Sequence, residues 1–311
     1  MQLCTGLVLR TTGSWYRVLT NDGHTLDCRL RGGYRLKGSK QTNPIAVGDY
    51  VRYEVQLDGT GVIQDIEDRN NYIIRKATKL SKQTHVIAAN LDMLCVVATL
   101  GYPRTSTGFI DRLLVTAQAY HIPACLIINK IDLYTGRQDL LDAHQHLVEI
   151  YRNVGYPVYE VSAKQAIGLD ALSAAISGST VLFSGHSGVG KSALLSALCP
   201  ELHLKVGDIS TSNLKGCHTT TFAEIYPVRL DQHPHATTCL VDTPGIKEFG
   251  MVDIEPWQLS HYFPEMQSLI SQCRFATCTH THEPQCAVKN ALERGLIAPE
   301  RYASYLAMLA E

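Results

Sequence analysis

The chain has 311 residues, 45% of them hydrophobic and 18% charged, with a formal net charge of −1. That length accommodates two or three domains, the composition is ordinary for a soluble globular protein, and the balanced charge does not by itself predict a polyanion partner. No run of 18 uncharged apolar residues occurs, so no transmembrane helix is expected, and Met1-Gln2-Leu3-Cys4-Thr5 lacks the basic and then apolar pattern of a signal peptide.

Residues 1–70 look all-β. Short alternating runs such as Gly6-Leu7-Val8-Leu9, Trp15-Tyr16-Arg17-Val18-Leu19 and Tyr50-Val51-Arg52-Tyr53-Glu54-Val55 are separated by Gly, Asn and Asp turns. About five strands in this length predict a small OB-type β-barrel. The positive charge gathers at this end: residues 1–83 hold 13 Lys and Arg against 8 Asp and Glu. Arg29, Arg31, Arg35, Lys37 and Lys40 fall with Tyr34 in one acid-free stretch, which suits phosphate contact and base stacking. A solvated loop fits that stretch equally well.

Residues 71–83 form a basic connector, and α/β alternation follows it. Apolar strands are expected at 93–99, 124–128, 158–161, 181–184 and 238–241, with amphipathic helices at 110–120, 139–154 and 169–176. Strands this continuous in Val, Ile and Leu fit a parallel sheet covered on both faces. Residues 222–230 alternate and predict an additional strand.

The chemistry sits at the ends of these strands. Asn129-Lys130-Ile131-Asp132 follows the second. A carboxylate at Asp132 accepts from the ring N–H and exocyclic amine of guanine, neither of which adenine offers. Asn129 braces the loop and the Lys130 stem covers the base. Ser162-Ala163-Lys164 follows the third strand, and the Ala163 N–H suits the guanine O6. Gly185-His186-Ser187-Gly188-Val189-Gly190-Lys191-Ser192 follows the fourth strand and precedes a helix over 193–198, the context that a phosphate loop requires. Its backbone N–H groups wrap phosphates, with Ala193 in the first helical turn. Lys191 reaches the β- and γ-phosphates and Ser192 ligates Mg²⁺. Gly216-Cys217-His218-Thr219-Thr220-Thr221 occupies the place of a first switch, where one of Thr219, Thr220 and Thr221 completes the magnesium shell. Asp242-Thr243-Pro244-Gly245 ends the last strand, with Asp242 holding Mg²⁺ through water and the Gly245 N–H meeting the γ-phosphate.

The order of these motifs is rotated. In an ordinary small GTPase the phosphate loop opens the domain and the base-reading motifs close it, whereas here the base-reading half comes first. The central domain is therefore expected to be a circularly permuted P-loop GTPase domain spanning 71–250, connector included.

Residues 251–311 look mostly helical, with helices at 256–270, 287–294 and 299–310. Between the first two lies Cys273-x4-Cys278-x-His280-x5-Cys286. Three thiols and an imidazole suit a closed, tetrahedral, structural Zn²⁺ site; His282 is a competing ligand on a strained spacing. The other seven cysteines, Cys4, Cys28, Cys95, Cys125, Cys199, Cys217 and Cys239, are scattered, which argues for a reducing compartment rather than a disulfide scaffold.

This ordered set, with N-K-I-D, S-A-K, G-H-S-G-V-G-K-S, H-T-T-T, D-T-P-G and the cysteine spacing, resembles the ribosome small-subunit-dependent GTPase A family (RsgA, YjeQ, YloQ) over essentially the whole chain. The resemblance implies an OB barrel in front, a zinc domain behind, and GTP hydrolysis stimulated by the 30S subunit late in its maturation. It further implies contact with 16S rRNA, a cytoplasmic monomer, zinc on Cys273, Cys278, His280 and Cys286, and His218 as the residue that positions the attacking water. The family usually has arginine where this chain has Cys217. Ile246 stands where many small GTPases place a water-orienting glutamine, so slow intrinsic turnover is expected.

Two rivals fit parts of the pattern. A permuted GTPase of large-subunit assembly is disfavoured by the barrel and the cysteine cluster. A GTP-responsive RNA-binding module with little hydrolysis is disfavoured by the intact Lys191, Ser192 and Asp242.

Overall fold

A computed structural model describes residues 3–31, 44–75, 85–101, 103–202, 223–230, 233–242 and 254–311. In chain order the elements are β1 (Cys4–Thr12), β2 (Trp15–Thr20), β3 (Thr25–Leu30), β4 (Tyr50–Val55), β5 (Gly61–Ile66), β6 (Tyr72–Arg75), β7 (His85–Ala89) and β8 (Met93–Ala98). Then come α1 (Thr107–Ala119), β9 (Ala124–Ile128), α2 (Gln138–Val154), β10 (Val158–Glu160), α3 (Leu169–Ile176), β11 (Thr180–Ser184) and α4 (Lys191–Leu198). The chain continues with β12 (Glu224–Leu230), β13 (His233–Asp242), α5 (Pro264–Gln267), α6 (Ala287–Glu293) and α7 (Pro299–Leu309). The chain divides into two compact units. One comprises Met1–Met93, Ile176–Leu182 and Cys199–Gly250, the other Leu94–Ala175, Phe183–Leu198 and Met251–Glu311.

In the first unit, β1 to β5 close into a barrel. β1 pairs antiparallel with both β2 and β4, β2 with β3, and β4 with β5, while β3 runs parallel to β5. Closure leaves the barrel without a free edge. The period-2 alternation puts Val8, Tyr16, Val18, Cys28, Val51, Tyr53 and Ile63 inside, where they pack with Ile45. Buried Asp49 is held by Arg69 through a two-pronged pair at 2.6 and 2.7 Å, and its Oδ2 also accepts from the Ala46 N–H. Of the basic stretch, Arg29 and Arg31 are described, and the Arg29 guanidinium lies 4.5 Å from the centre of the Trp15 ring; Tyr34, Arg35, Lys37 and Lys40 lie outside the described residues.

The connector begins in β6, which pairs antiparallel with β7. The extended Tyr72-Ile73-Ile74 run that builds β6 was hidden in the sequence by the basic residues that follow it. The expected additional strand is β12, antiparallel to β13, and β13 runs parallel to β11 from Thr180 opposite Cys239 to Leu182 opposite Val241.

In the second unit, β8, β9 and β10 are parallel, with β9 in the middle. Cys95, Val96 and Val97 of β8 and Leu126, Ile127 and Ile128 of β9 are fully buried, as their unbroken apolar runs predict. The C-terminal segment packs around Leu259, Phe263, Met266, Val288, Ala291, Ile297, Tyr305 and Met308, and Val115 of α1 joins that core.

The expected helix over 256–270 is broken instead. It resolves into a 3₁₀ turn at Pro256–Tyr262, the four-residue α5, and a second 3₁₀ turn at Ile270–Gln272. Pro264 is the cause: it forces Phe263 into an extended conformation (φ −104°, ψ 105°), and its missing N–H removes a helical bond.

Candidate nucleotide site and metal centre

The two base-reading motifs leave neighbouring strands of one parallel sheet. β9 ends at Ile128 and β10 at Glu160, paired with each other in register. Both loops therefore open at the carboxyl edge of the sheet, where open α/β sheets place ligands.

Asn129 ties three loops together and is 1% exposed. Its backbone N–H donates to Ala98 O at 2.9 Å. Its Nδ2 donates to Val189 O in the phosphate loop at 2.9 Å, and its Oδ1 accepts from the Ala163 N–H at 3.2 Å. Gly190 sits against it at φ +92°, and a Cβ there would run into Nδ2. Position 190 needs glycine both for the left-handed backbone and for the close approach.

Lys130 is itself left-handed, at φ 65°, which costs a residue with a Cβ about 1–2 kcal/mol. The conformation lets its Nζ donate to Gly188 O at 2.7 Å, so its stem lies along the phosphate loop. Ile131 and Asp132 open the 3₁₀ turn Ile131–Tyr134. The buried Ser162 hydroxyl donates to Asp132 Oδ1 at 2.6 Å and accepts from the Gln165 N–H at 3.1 Å, which fixes the carboxylate's orientation. Lys164 is exposed.

In the phosphate loop, Val189 is fully buried, while Ser187 and Gly188 face solvent. Lys191 Nζ donates to the carbonyls of Gly185 at 2.6 Å and His186 at 2.9 Å. The His186 ring stacks on Phe109 with centroids 3.6 Å apart and planes 25° apart. Ser192 and Ala193 stand exposed in the first turn of α4. Asp242, in the other unit, closes β13 opposite Glu224 of β12. Cys217, His218, Thr219, Thr220, Thr221, Gly245 and Ile246 lie outside the described residues.

The structure brings Cys273, Cys278, His280 and Cys286 together, their ligand atoms all within 4.8 Å of one another. His280 Nδ1 lies 3.3 Å from Cys286 Sγ and 3.7 Å from Cys273 Sγ. Edges of about 3.5–3.8 Å are what a tetrahedron with metal–sulfur bonds of ~2.3 Å and a metal–nitrogen bond of ~2.0 Å has, so the donor set fits a closed structural site. Burial holds His280 below the usual imidazole range, and burial pushes the Cys278 thiol up to about 12. Both shifts favour the uncharged forms, so a thiolate at Cys278 requires a cation to neutralise it. His282 stands apart, exposed, with its Nδ1 beside the Thr281 hydroxyl at 2.9 Å.

The metal loop is braced from outside. The Tyr302 and Tyr305 hydroxyls of α7 donate to the carbonyls of His280 and Thr279 at 2.6 and 2.7 Å. Glu283 accepts from the backbone N–H groups of Thr279 and Thr281 and from the Thr279 hydroxyl.

The RsgA GTPase family profile matches residues 66–252, and the RsgA N-terminal domain profile matches residues 5–63. The chain belongs to the RsgA GTPase family. A relative from Bacteroides thetaiotaomicron, described as small ribosomal subunit biogenesis GTPase RsgA 2, is 49% identical over 306 residues, covering 98% of this chain and 96% of the relative. A Flavobacterium johnsoniae protein, small ribosomal subunit biogenesis GTPase RsgA, is also 49% identical, over 98% of this chain and 92% of its own length. Among solved structures, YjeQ from Thermotoga maritima superposes with a TM-score of 0.78 at 34% identity, covering 99% of this chain and 98% of that one. The circularly permuted GTPase YloQ superposes at 0.76 with 29% identity, covering 99% and 94%. Family membership thus agrees with the motif order and with the closed barrel in front.

Sequence reasoning missed two residues of the nucleotide region. Tyr134 is buried, donates to Asn129 O at 3.3 Å and accepts from the Leu100 N–H at 3.2 Å, joining the base-reading loop to the end of β8. Its place two residues after Asp132 was the available signal. Phe109, stacked on His186, gave none, since an aromatic in an amphipathic helix first suggests core.

Proposed function

We propose that this chain binds the 30S ribosomal subunit in its GTP state and hydrolyses GTP to GDP and phosphate late in that subunit's maturation, stimulated by the subunit. One observation carries the nucleotide half of this reading: the Asp132 carboxylate, oriented by Ser162, lies in a loop that Asn129 staples to the phosphate loop. The relatives' names, which specify small-subunit biogenesis, support the ribosomal half.

In this reading Asn129, Lys130, Ile131, Asp132, Ser162, Ala163 and Lys164 hold the guanine. The run from Gly185 to Ala193 holds the phosphates, and Lys191 offsets charge that develops on the transferring phosphoryl group. By their motifs alone, the hydroxyl of Ser192 and the carboxylate of Asp242 would hold magnesium, which would supply further charge neutralisation; such oxygen donors suit a hard cation. Thr219, Thr220 and Thr221 sense the γ-phosphate. His218 positions the attacking water, and His218→Ala tests this: unchanged stimulated turnover would remove it from the mechanism. Cys273, Cys278, His280 and Cys286 hold zinc, whose role is to order a small domain.

The protein acts as a cytoplasmic monomer with three domains, at 1–70, 71–250 and 251–311. Among the described residues no helix is long and apolar enough to cross a membrane. The barrel, carrying Arg29 and Arg31, and the zinc domain contact 16S rRNA. Co-sedimentation with purified subunits and a non-hydrolysable GTP analogue tests the partner. Pelleting with 30S and not with 50S is expected; pelleting with 50S alone would overturn the assignment.

A further inference from the structure

The phosphate loop is gripped from a side that the nucleotide motifs do not include. Segment 103–109, which leads into α1, touches the loop twice. The Phe109 ring stacks on His186 at 3.6 Å, and Pro103 packs beside Gly188, its Cδ 3.3 Å from where a Cβ on that glycine would lie. The segment is itself fastened. The Thr105 N–H donates to Thr99 O, the Thr99 N–H to Thr105 Oγ1, and the N-cap Ser106 Oγ accepts from the Phe109 N–H at 3.3 Å. Phe109 thus projects from a capped first turn rather than from a loose loop.

The contact bears on Lys191 directly. Lys191 Nζ donates to the carbonyl of His186, the residue whose ring Phe109 covers. Fixing the imidazole fixes the backbone of residue 186, and with it one of the two carbonyls that aim the ammonium.

The same helix is anchored in the C-terminal segment. Arg301 of α7 is fully buried and donates to Asp111 Oδ1 at 2.7 Å and to both oxygens of Glu265, at 2.7 and 3.0 Å. Asp111 also accepts from the Tyr151 hydroxyl at 2.6 Å. Arg112 pairs with Glu311, and Val115 enters the core built around Phe263 and Tyr305. Asp111 follows Phe109 by two residues on the same helix. A displacement of α7 that drags Asp111 therefore moves the ring that holds the phosphate loop.

We propose that Phe109 is a positioning residue for Lys191, acting through His186, and that α1 carries the docking of the C-terminal helix α7 to the phosphate loop. This rests on the GTPase reading for the meaning of the loop, but not on the ribosome as partner. If the C-terminal segment grips a macromolecule, this is the path by which the grip reaches the nucleotide.

The test uses the full-length metal-loaded protein without ribosomes, so its outcome is separate from that of subunit-stimulated turnover. Affinity for a fluorescent GDP analogue is measured for Phe109→Leu, for Phe109→Tyr, and for Leu113→Val, a buried change one turn further along α1. Loss of an aromatic stack predicts roughly 2- to 10-fold weaker binding for Phe109→Leu, rescue by Phe109→Tyr to within about twofold, and unchanged binding for Leu113→Val even if its melting temperature falls. Equal affinity for Phe109→Leu and the parent, or equal weakening by Leu113→Val, would overturn the positioning role. The relay is tested by a cycle with Arg301→Met, or with Arg112→Met where the former does not fold. Either substitution weakens binding in the parent and has no further effect in Phe109→Leu; additive effects would overturn the relay.

Discussion

Asn129 donates its side-chain N–H to the carbonyl of Val189, sixty residues further along the chain, at 2.9 Å. Its amide oxygen meanwhile receives the Ala163 N–H, so one buried amide joins the two base-reading loops to the phosphate loop. Asn129→Ala strands a buried carbonyl and a backbone N–H, each worth about 1–3 kcal/mol when unsatisfied. Nucleotide affinity is expected to fall by about tenfold or more, as read by equilibrium titration with fluorescent GDP. Asn129→Asp falls further, since a carboxylate cannot donate to Val189 O.

Asp132→Asn exchanges an acceptor for a donor at the guanine edge, with Ser162 still in place to orient it. GTP affinity is expected to drop by about a hundredfold or more. Xanthosine triphosphate, which carries a carbonyl in place of the exocyclic amine, gains relative to GTP. Competition of both nucleotides for the variant measures the exchange.

Much of this site was legible in the sequence because its residues sit at strand ends, in short motifs whose spacing is set by local backbone. Asn129, Asp132 and Ser162 needed only β9 and β10 to be placed correctly. What stayed hidden depends on contacts between distant positions. Arg301 is an ordinary polar residue on a helical wheel, and only Asp111 and Glu265, 190 and 36 residues away, explain its complete burial. The Phe109–His186 stack joins segments that no local period connects. The break in the helix expected over 256–270 was visible in Pro264, but the flanking apolar spacing outweighed it.

The C-terminal segment should depend on its metal. Metal analysis is expected to give one zinc per chain. Chelation, or Cys286→Ser, is expected to lower the melting temperature by about 5 °C or more, measured by the loss of helical signal on heating. A chain that retains zinc at full stoichiometry after Cys286→Ser would show that the four ligands are not acting as a set.

Glu283 gives the metal loop a pH dependence of its own. Burial raises its carboxyl, but the hydrogen bonds from the Thr279 hydroxyl and the N–H groups of Thr279 and Thr281 outweigh that and hold it at about 2, against an ordinary 4.5. The native state therefore binds fewer protons than the unfolded chain, and stability rises with pH in this window. The contribution is complete above about pH 4.5 and is lost as pH falls toward 2. Glu283→Gln removes it, so parent and variant differ at pH 6, and the gap narrows as the pH is lowered through 4 toward 3. A gap of constant size would contradict this.

The central claim is that a guanine-specific phosphate-loop enzyme answers to one ribosomal subunit. It is tested most directly by steady-state GTP turnover with purified 30S, with purified 50S, and with neither. The account predicts slow turnover alone, strong stimulation by 30S, and none by 50S. Equal rates in all three would contradict it.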